Sequence, residues 1–161
     1  MPACQTGRMA ELKRRLRSDL TTAMKARDAL RASTLRMALT AITNAEVAGK
    51  QARELADDEV TQVLVAEAKK RREAAEAYSG AGRTELADKE RAEAEVLAEY
   101  LPRQLTSEEL VALVTAAVEE AGAAGQGMRA MGTVMGALRP QTTGRADGAA
   151  VAAEVRRQLS A

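Results

Sequence analysis

The residues of this chain best suited to hold an anion lie near its C-terminus. Arg139 and Arg145 flank a loop that contains Thr and Gly, including Gly144, and the loop runs into a helix capped by Asp147. Helix N-termini attract anions, but a capping carboxylate occupies the free N–H groups and repels a phosphate. The arginines are therefore the better phosphate ligands. An ordinary turn with exposed arginines is the alternative, and spacing alone favours it.

A second stretch, residues 131–136, places two glycines inside a predicted helix. Gly132 and Gly136 lie one turn apart on one face, and each glycine in a helix interior costs about 1 kcal/mol relative to alanine. We therefore expect something to approach this face closely. A neighbouring helix packed backbone to backbone is the first interpretation, and an RNA backbone or a partner surface is the second.

The residue inventory excludes most catalytic chemistry. The 161 residues include no His, Trp or Phe, two Tyr and one Cys. Without His there is no Ser-His-Asp or Cys-His catalysis and no His-ligated zinc, and one Cys permits neither an internal disulfide nor a Cys-based zinc site. Walker and dinucleotide-binding motifs are also missing from the sequence. We therefore expect no catalytic residues, no metal site and no cofactor.

Composition also limits the surroundings in which the chain works. No apolar run approaches the roughly 18 residues of a membrane span, and residues 1–8 have no signal-peptide core. The scarcity of aromatic residues removes the usual stacking platforms for single-stranded nucleic acid. We expect a cytoplasmic protein that contacts neither a membrane nor DNA.

The same composition predicts an all-α fold with an uneven charge distribution. Ala accounts for 36 residues, and the β-branched and aromatic residues that favour strands are scarce. Residues 8–53 carry 11 basic and 4 acidic side chains, whereas residues 54–103 carry 8 basic and 13 acidic ones. Two solvated helix faces that attract each other explain this pattern most simply.

Helical spacing defines the predicted elements of the first hundred residues. A stripe of Leu12, Leu16, Leu20 and Met24 predicts the first helix, and a second helix follows from about residue 30 to a loop at 44–53. The third helix opens near Asp57 and ends at the glycines of residues 80–82. The fourth runs from about residue 84 to 101, with Leu86 among its inward residues, and Pro102 ends it.

The last sixty residues contain the strongest local signal. Thr106 and Glu109 form a predicted capping box, with Leu105 and Leu110 as the hydrophobic staple. A Gly-rich loop at 121–127 leads to a short helix over 131–138 that Pro140 stops, and residues 141–148 form a second loop. The final helix buries a stripe of three residues, Val151, Val155 and Leu159. We therefore predict a flexible tail at 1–8, an N-terminal helical domain with a long antiparallel hairpin at 9–103, and a three-helix domain at 104–161.

Taken in order, these motifs resemble the stand-alone YqeY-like proteins of the GatB/YqeY family. The resemblance covers residues 9–161. The matching segments are Ala23–Lys25, Thr34–Met37, Lys69–Glu73, Gly82–Arg83, Leu86–Glu90, Glu99–Pro102, Met131–Met135 and Gly144–Gly148. The sequence departs from the family pattern at Ala56, Ala130 and Thr133. Thr133 and Ala130 stand where relatives often carry a Lys and an acidic residue, and Ala56 replaces a common Ser/Thr cap.

The resemblance implies a function as well as a fold. The last sixty residues look like the C-terminal tail of the B subunit of the tRNA-dependent amidotransferase, a carbon-nitrogen ligase with glutamine as amido-N-donor. That tail helps to hold tRNA while another subunit releases ammonia. The implied partners are tRNA and an amidotransferase or aminoacyl-tRNA synthetase component.

Three interpretations of the chain follow from these observations. The first is a tRNA-interacting accessory protein without an active site of its own, with Gly132, Arg139, Gly144 and Arg145 as the candidate RNA-binding residues. The second is a helical protein-interaction module that uses its acidic hairpin and does not bind RNA. The third is an amide-forming enzyme, against which the missing nucleophile, His and nucleotide motif all argue.

Overall fold

The computed structural model describes residues 9–161, and all regular elements in that range are helical. This confirms the all-α prediction. The flexible tail expected at residues 1–8 lies outside the described residues. In chain order, the elements are α1 (Glu11–Lys25), α2 (Ala29–Val47), α3 (Asp57–Gly80), α4 (Thr84–Ala98), α5 (Ser107–Glu120), a 3₁₀ turn (Gly127–Ala130), α6 (Met131–Thr142) and α7 (Gly148–Leu159).

The chain forms two compact units, of which the first ends at Leu101 and the second covers Pro102–Ala161. In the first unit, α1 and α2 form one antiparallel pair and α3 and α4 form another. Large aliphatic side chains from all four helices make the core, and six of them are fully buried: Leu16, Leu35, Ile42, Val60, Leu64 and Leu97. A buried ion pair, Lys13 Nζ to Glu46 Oε2 at 2.7 Å, adds a polar link between α1 and α2.

The ends of α1 and α2 differ from the sequence prediction. Met24 is 52% exposed, because the last turn of α1 reaches the α1–α2 connection, and Ala23 takes the buried position there. α2 continues to Val47, so the loop that follows it occupies residues 48–56 and not the predicted 44–53.

The α3–α4 pair contains a buried charge pair. Arg71 Nε lies 3.2 Å from Glu93 Oε2, and both residues are less than 7% exposed. Beyond this pair the two helices pack through alanines, with Ala75 on α3 and Ala87 on α4 both buried. The prediction of an inward Leu86 is wrong, because the phase of α4 turns the neighbouring Ala87 inward and leaves Leu86 39% exposed.

The second unit packs α5, α6 and α7 around a single core of aliphatic side chains. Val151, Val155 and Leu159 are buried as predicted. Pro140, however, does not stop α6, which continues to Thr142. Proline removes a single N–H donor, and the last turn gains two bonds from threonine hydroxyls. Thr142 Oγ1 donates to Leu138 O at 3.0 Å and Thr143 Oγ1 donates to Arg139 O at 2.7 Å. The predicted loop at 141–148 is accordingly shorter, because residues 141 and 142 belong to α6 and Gly148 begins α7.

Candidate nucleic-acid interface

The outward face of α6 carries the two glycines that the sequence singles out. Ala130, Val134 and Leu138 turn toward the core, which leaves Gly132 and Gly136 exposed on the other side of the helix. A Cβ atom added to either glycine would meet no other described atom within 4 Å. The first interpretation of these glycines, a neighbouring helix packed against them, is therefore wrong for the described residues.

Two exposed arginines lie on or beside α6. Arg129 belongs to the 3₁₀ turn that precedes α6, and Arg139 lies in the last turn of α6. Within residues 9–161, neither guanidinium forms an ion pair. Unpaired guanidinium groups keep their full set of donors for an external anion.

Gly144 has a structural reason to be glycine. It is buried, and its φ of 76° lies in the left-handed region that residues with a side chain rarely adopt. Its carbonyl accepts a hydrogen bond from Gln104 Nε2 at 2.7 Å. Gly144 thus shapes the α6–α7 loop and holds the segment that precedes α5.

Arg145 holds the same segment from the other side. Its Nε donates to Arg103 O at 3.2 Å, and its own carbonyl accepts from Leu105 N at 2.8 Å. A weaker bond joins its Nη1 to Gln141 O at 3.5 Å. The Arg145 guanidinium is half-buried and engaged with backbone carbonyls, unlike that of Arg139.

The predicted capping box at the start of α5 is confirmed, and it fixes the segment that Gly144 and Arg145 hold. Glu109 N donates to Thr106 Oγ1 at 3.2 Å, and Thr106 N donates to Glu109 Oε2 at 2.9 Å. Arg103 adds two hydrogen bonds to the same carboxylate, at 3.0 and 2.8 Å. The Arg103 bonds, followed by the Thr106 backbone bond, lower the pKa of Glu109 to about 2.

The arginine–glutamate part of this arrangement also occurs at the start of α3, where the N-cap residue is Ala56. Arg53 donates twice to Glu59, and Ala56 N donates to Glu59 Oε2 at 3.0 Å. The common pattern is Arg, Leu two residues later and Glu four residues after that, in residues 53–59 and 103–109. This spacing is readable from sequence and identifies Arg103 and Glu109, which sequence reasoning did not connect.

Gln104 is a second contact that sequence reasoning missed. Its side chain donates to the carbonyl of Gly144, which lies 40 residues later in the sequence. No local sequence spacing predicts a contact at that separation.

Asp147 occupies the N-cap position of α7 as predicted, although its side chain makes no capping hydrogen bond to that helix. Contrary to the expectation from sequence, the carboxylate does not cap the free N–H groups of α7.

The described residues hold no cluster with the composition of a metal site, meaning three or more His, Cys, Asp or Glu side chains placed to share an ion. None of the helices in residues 9–161 is long and apolar enough to cross a membrane.

Comparison with known proteins places most of the chain in one family model. The model described as Yqey-like protein matches residues 13–159. No curated protein matches the chain.

Proposed function

The chain belongs to the YqeY-like family, and from this premise we propose that it is a tRNA-interacting accessory protein that contacts the RNA backbone with the outward face of α6. It has no active site of its own in this proposal. Its relation to the tail of the amidotransferase B subunit belongs to the same proposal. Its partners would then include an amidotransferase or aminoacyl-tRNA synthetase component.

The observation that carries the proposal is the unexplained exposure of Gly132 and Gly136. Gly136, inside the helix, destabilises α6 by about 1 kcal/mol, and no described neighbour needs the space that Gly136 or Gly132 leaves. A helix face without side chains allows a phosphate backbone to come close to the helix. The exposed arginines at 129 and 139 supply the positive charge that such contacts require.

The other two candidate residues support the contact in a different way. Gly144 is buried, so in this proposal it shapes the loop after α6 and does not touch RNA. Arg145 holds the segment before α5 with its Nε and contacts α6 with Nη1, and it offers its remaining donors to a phosphate. Stacking on aromatic residues plays no part, because residues 102–161 contain none.

Filter binding of bulk tRNA at several salt concentrations tests the proposal. Three phosphate contacts, from Arg129, Arg139 and Arg145, predict a slope of log K against log salt of roughly −2 to −3. Arg129→Glu combined with Arg139→Glu should abolish binding. Both side chains are exposed and unpaired among the described residues, so helix content should stay unchanged.

Arg91→Glu provides the matched control, because Arg91 is an exposed arginine on α4 that pairs with Asp88 on the same helix. This control should bind tRNA as the wild type does. Tight binding that survives the double reversal would overturn the assignment to α6. No binding by the wild-type protein at low salt would overturn the tRNA proposal and leave the protein-interaction module.

A further inference from the structure

The turn between α1 and α2 contains an arginine in a backbone conformation that disfavours it. Arg27 has a φ of 58°, and it is the one residue other than glycine with a positive φ in residues 9–161. A left-handed conformation strains any residue with a Cβ, because the Cβ approaches the following carbonyl. Arg27 therefore makes this turn less stable than it needs to be.

Two other helix ends show what this position ordinarily holds. At the end of α1, Asp28 N donates to Ala23 O, which closes the helix in a Schellman motif around Arg27. The same bond pattern closes α3 around Gly82 and α5 around Gly122, with φ values of 72° and 60°. Glycine thus occupies the equivalent position in both of those motifs, and only the α1–α2 turn uses an arginine.

Arg27 lines an open groove of about 370 Å³ between the last turn of α1 and the first turns of α2. Ala23 and Ala32 are buried beneath it, and Met24 exposes half of its side chain into the same surface. Arg36, also exposed, stands on the α2 side. The groove therefore has an apolar floor and a positively charged rim.

Neither rim arginine has an ion-pair partner in the described part of the chain. The one acidic residue at the groove, Asp28, already accepts a hydrogen bond from Arg31 N at 3.0 Å as the cap of α2. The rim charges are consequently not neutralised within the chain. Strain kept at a charged surface position points to a role in binding.

We infer that this groove binds an acidic amphipathic helix of a partner protein. The apolar side chains of such a helix would pack on Met24 and the alanines, and its carboxylates would pair with Arg27 and Arg36. Methionine suits such a surface because its flexible thioether adapts to different partners. An RNA would use the arginines but would leave the apolar floor unused.

Peptide binding measured by fluorescence anisotropy at low salt tests this inference. The probe is a synthetic 18-residue helix with leucines on one face and glutamates on the other, and the control peptide replaces each glutamate with glutamine. We expect saturable binding of the acidic peptide and at least tenfold weaker binding of the neutral one. Arg36→Gln should weaken the acidic peptide about threefold, as an exposed ion pair does.

Two variants of Arg27 separate charge from backbone strain. Arg27→Gly should weaken the acidic peptide about threefold and raise the Tm by about 3 °C, because the strain is relieved. Arg27→Ala should weaken the peptide equally without raising the Tm. Arg14→Gln is the control, because Arg14 is exposed on α1 and pairs with Glu11 outside the groove.

The inference fails if the acidic peptide does not bind, or if both Arg27 variants bind it as tightly as the wild type does. It also fails if a short oligouridylate binds the groove more tightly than the peptide does and loses affinity in Arg36→Gln, which would make the groove an RNA site. A higher Tm for Arg27→Gly without any loss of peptide affinity would reduce Arg27 to a structural defect.

Discussion

At the scale of single residues, Tyr100 carries a buried hydroxyl that joins three segments of the first unit. Its Oη donates to Asp19 Oδ2 on α1 at 2.5 Å and accepts from Arg31 Nη2 on α2 at 3.2 Å. Arg15 lies over the ring, 4.7 Å from its centre. Tyr100, the second residue after α4, thereby links this end of the helix to α1 and α2.

The titration of Tyr100 gives the first prediction. Burial, followed by the hydrogen bond to Asp19, raises the pKa of Tyr100 to about 12. Because the folded value lies above the unfolded value of about 10, the stabilisation is present below pH 10 and is lost as the pH rises toward 12. A near-ultraviolet absorbance titration of a Tyr78→Phe variant should show this late ionisation, and adding Asp19→Asn should move it to lower pH. Ionisation of Tyr100 near pH 10 in the folded protein would contradict the buried hydroxyl.

The glycines of α6 give the second prediction. Gly132→Ala with Gly136→Ala should raise the free energy of unfolding by about 1 kcal/mol, chiefly through Gly136 inside the helix, because alanine favours a helix and the added methyl groups meet no neighbour. Under the tRNA proposal the same variant should bind tRNA more weakly. Thermal melting and filter binding measure the two effects.

Gly80→Ala is the matched control for that experiment. Gly80 ends α3, and a Cβ there also meets nothing within 4 Å. This variant should gain stability without any change in RNA affinity. If the α6 variant gains stability and keeps its full affinity for tRNA, the glycines do not serve RNA binding.

At the scale of elements, the starts of α3 and α5 form a natural pair for comparison. The N-cap residues Ala56 and Thr106 have nearly the same backbone angles, with φ of −73° in both and ψ of 165° and 166°. Each helix start has an arginine that donates two hydrogen bonds to the glutamate of the first turn, Arg53 to Glu59 and Arg103 to Glu109. Only Thr106 has a hydroxyl to accept the N–H of that glutamate. The two helix starts differ by one hydrogen bond.

This difference gives the third prediction. Thr106→Ala should lower the free energy of unfolding by about 1 kcal/mol, and Ala56→Thr should raise it by a similar or smaller amount. Chemical denaturation of the two single variants measures both effects. An unchanged stability in Ala56→Thr would mean that the α3 start does not hold the cap geometry described here.

The sequence predicts elements better than it predicts their edges. The helical spacing of Val151, Val155 and Leu159 predicts α7. The capping box of Thr106 and Glu109 predicts the start of α5, because its hydrogen bonds join residues only three positions apart. Met24 and Leu86 are exposed because the neighbouring alanines, Ala23 and Ala87, take the buried positions. The rule that proline ends a helix fails at Pro140, because the hydroxyls of Thr142 and Thr143 add hydrogen bonds to the last turn of α6.

The candidate site is less predictable for a related reason. Gly132 and Arg139 stand exposed on α6, and the sequence already marks them, Gly132 as a glycine in a predicted helix and Arg139 as an arginine beside a loop. Gly144 and Arg145 have a structural role, because they form hydrogen bonds with residues 103–105, about 40 positions earlier. Only the folded chain shows that these residues hold a neighbouring segment.

At the scale of the whole molecule, the absence of histidine shapes the response to pH. With no His in the sequence, no side chain with an unperturbed pKa between 5 and 8 is present. The strongly shifted carboxylates lie far below this range. Bonds from Arg53, Arg103 and Arg157 lower the pKa values of Glu59, Glu109 and Glu154 to about 2.

The fourth prediction is therefore a flat stability profile near neutral pH and a loss of stability in acid. Because the folded pKa values lie below the unfolded ones, these pairs stabilise the protein above about pH 4.5. Their contribution disappears as the pH falls toward 2. Urea denaturation at several pH values measures this. The triple variant Glu59→Gln, Glu109→Gln and Glu154→Gln should show a shallower acid limb, and an equally steep one would contradict the assignment.

The Arg71–Glu93 pair also determines how α3 and α4 are aligned. Near the turn, the alanines between these helices offer little to prevent sliding, since small side chains of similar shape lie on both helices there. A slip of one turn, about 5.4 Å, would pull Arg71 away from Glu93 and leave each buried charge only its longer pair on the same helix, with Glu67 at 3.8 Å and with Lys89 at 3.9 Å, which destabilises the slipped alignment. The pair therefore favours one alignment of the α3–α4 hairpin, together with the short turn that joins the two helices.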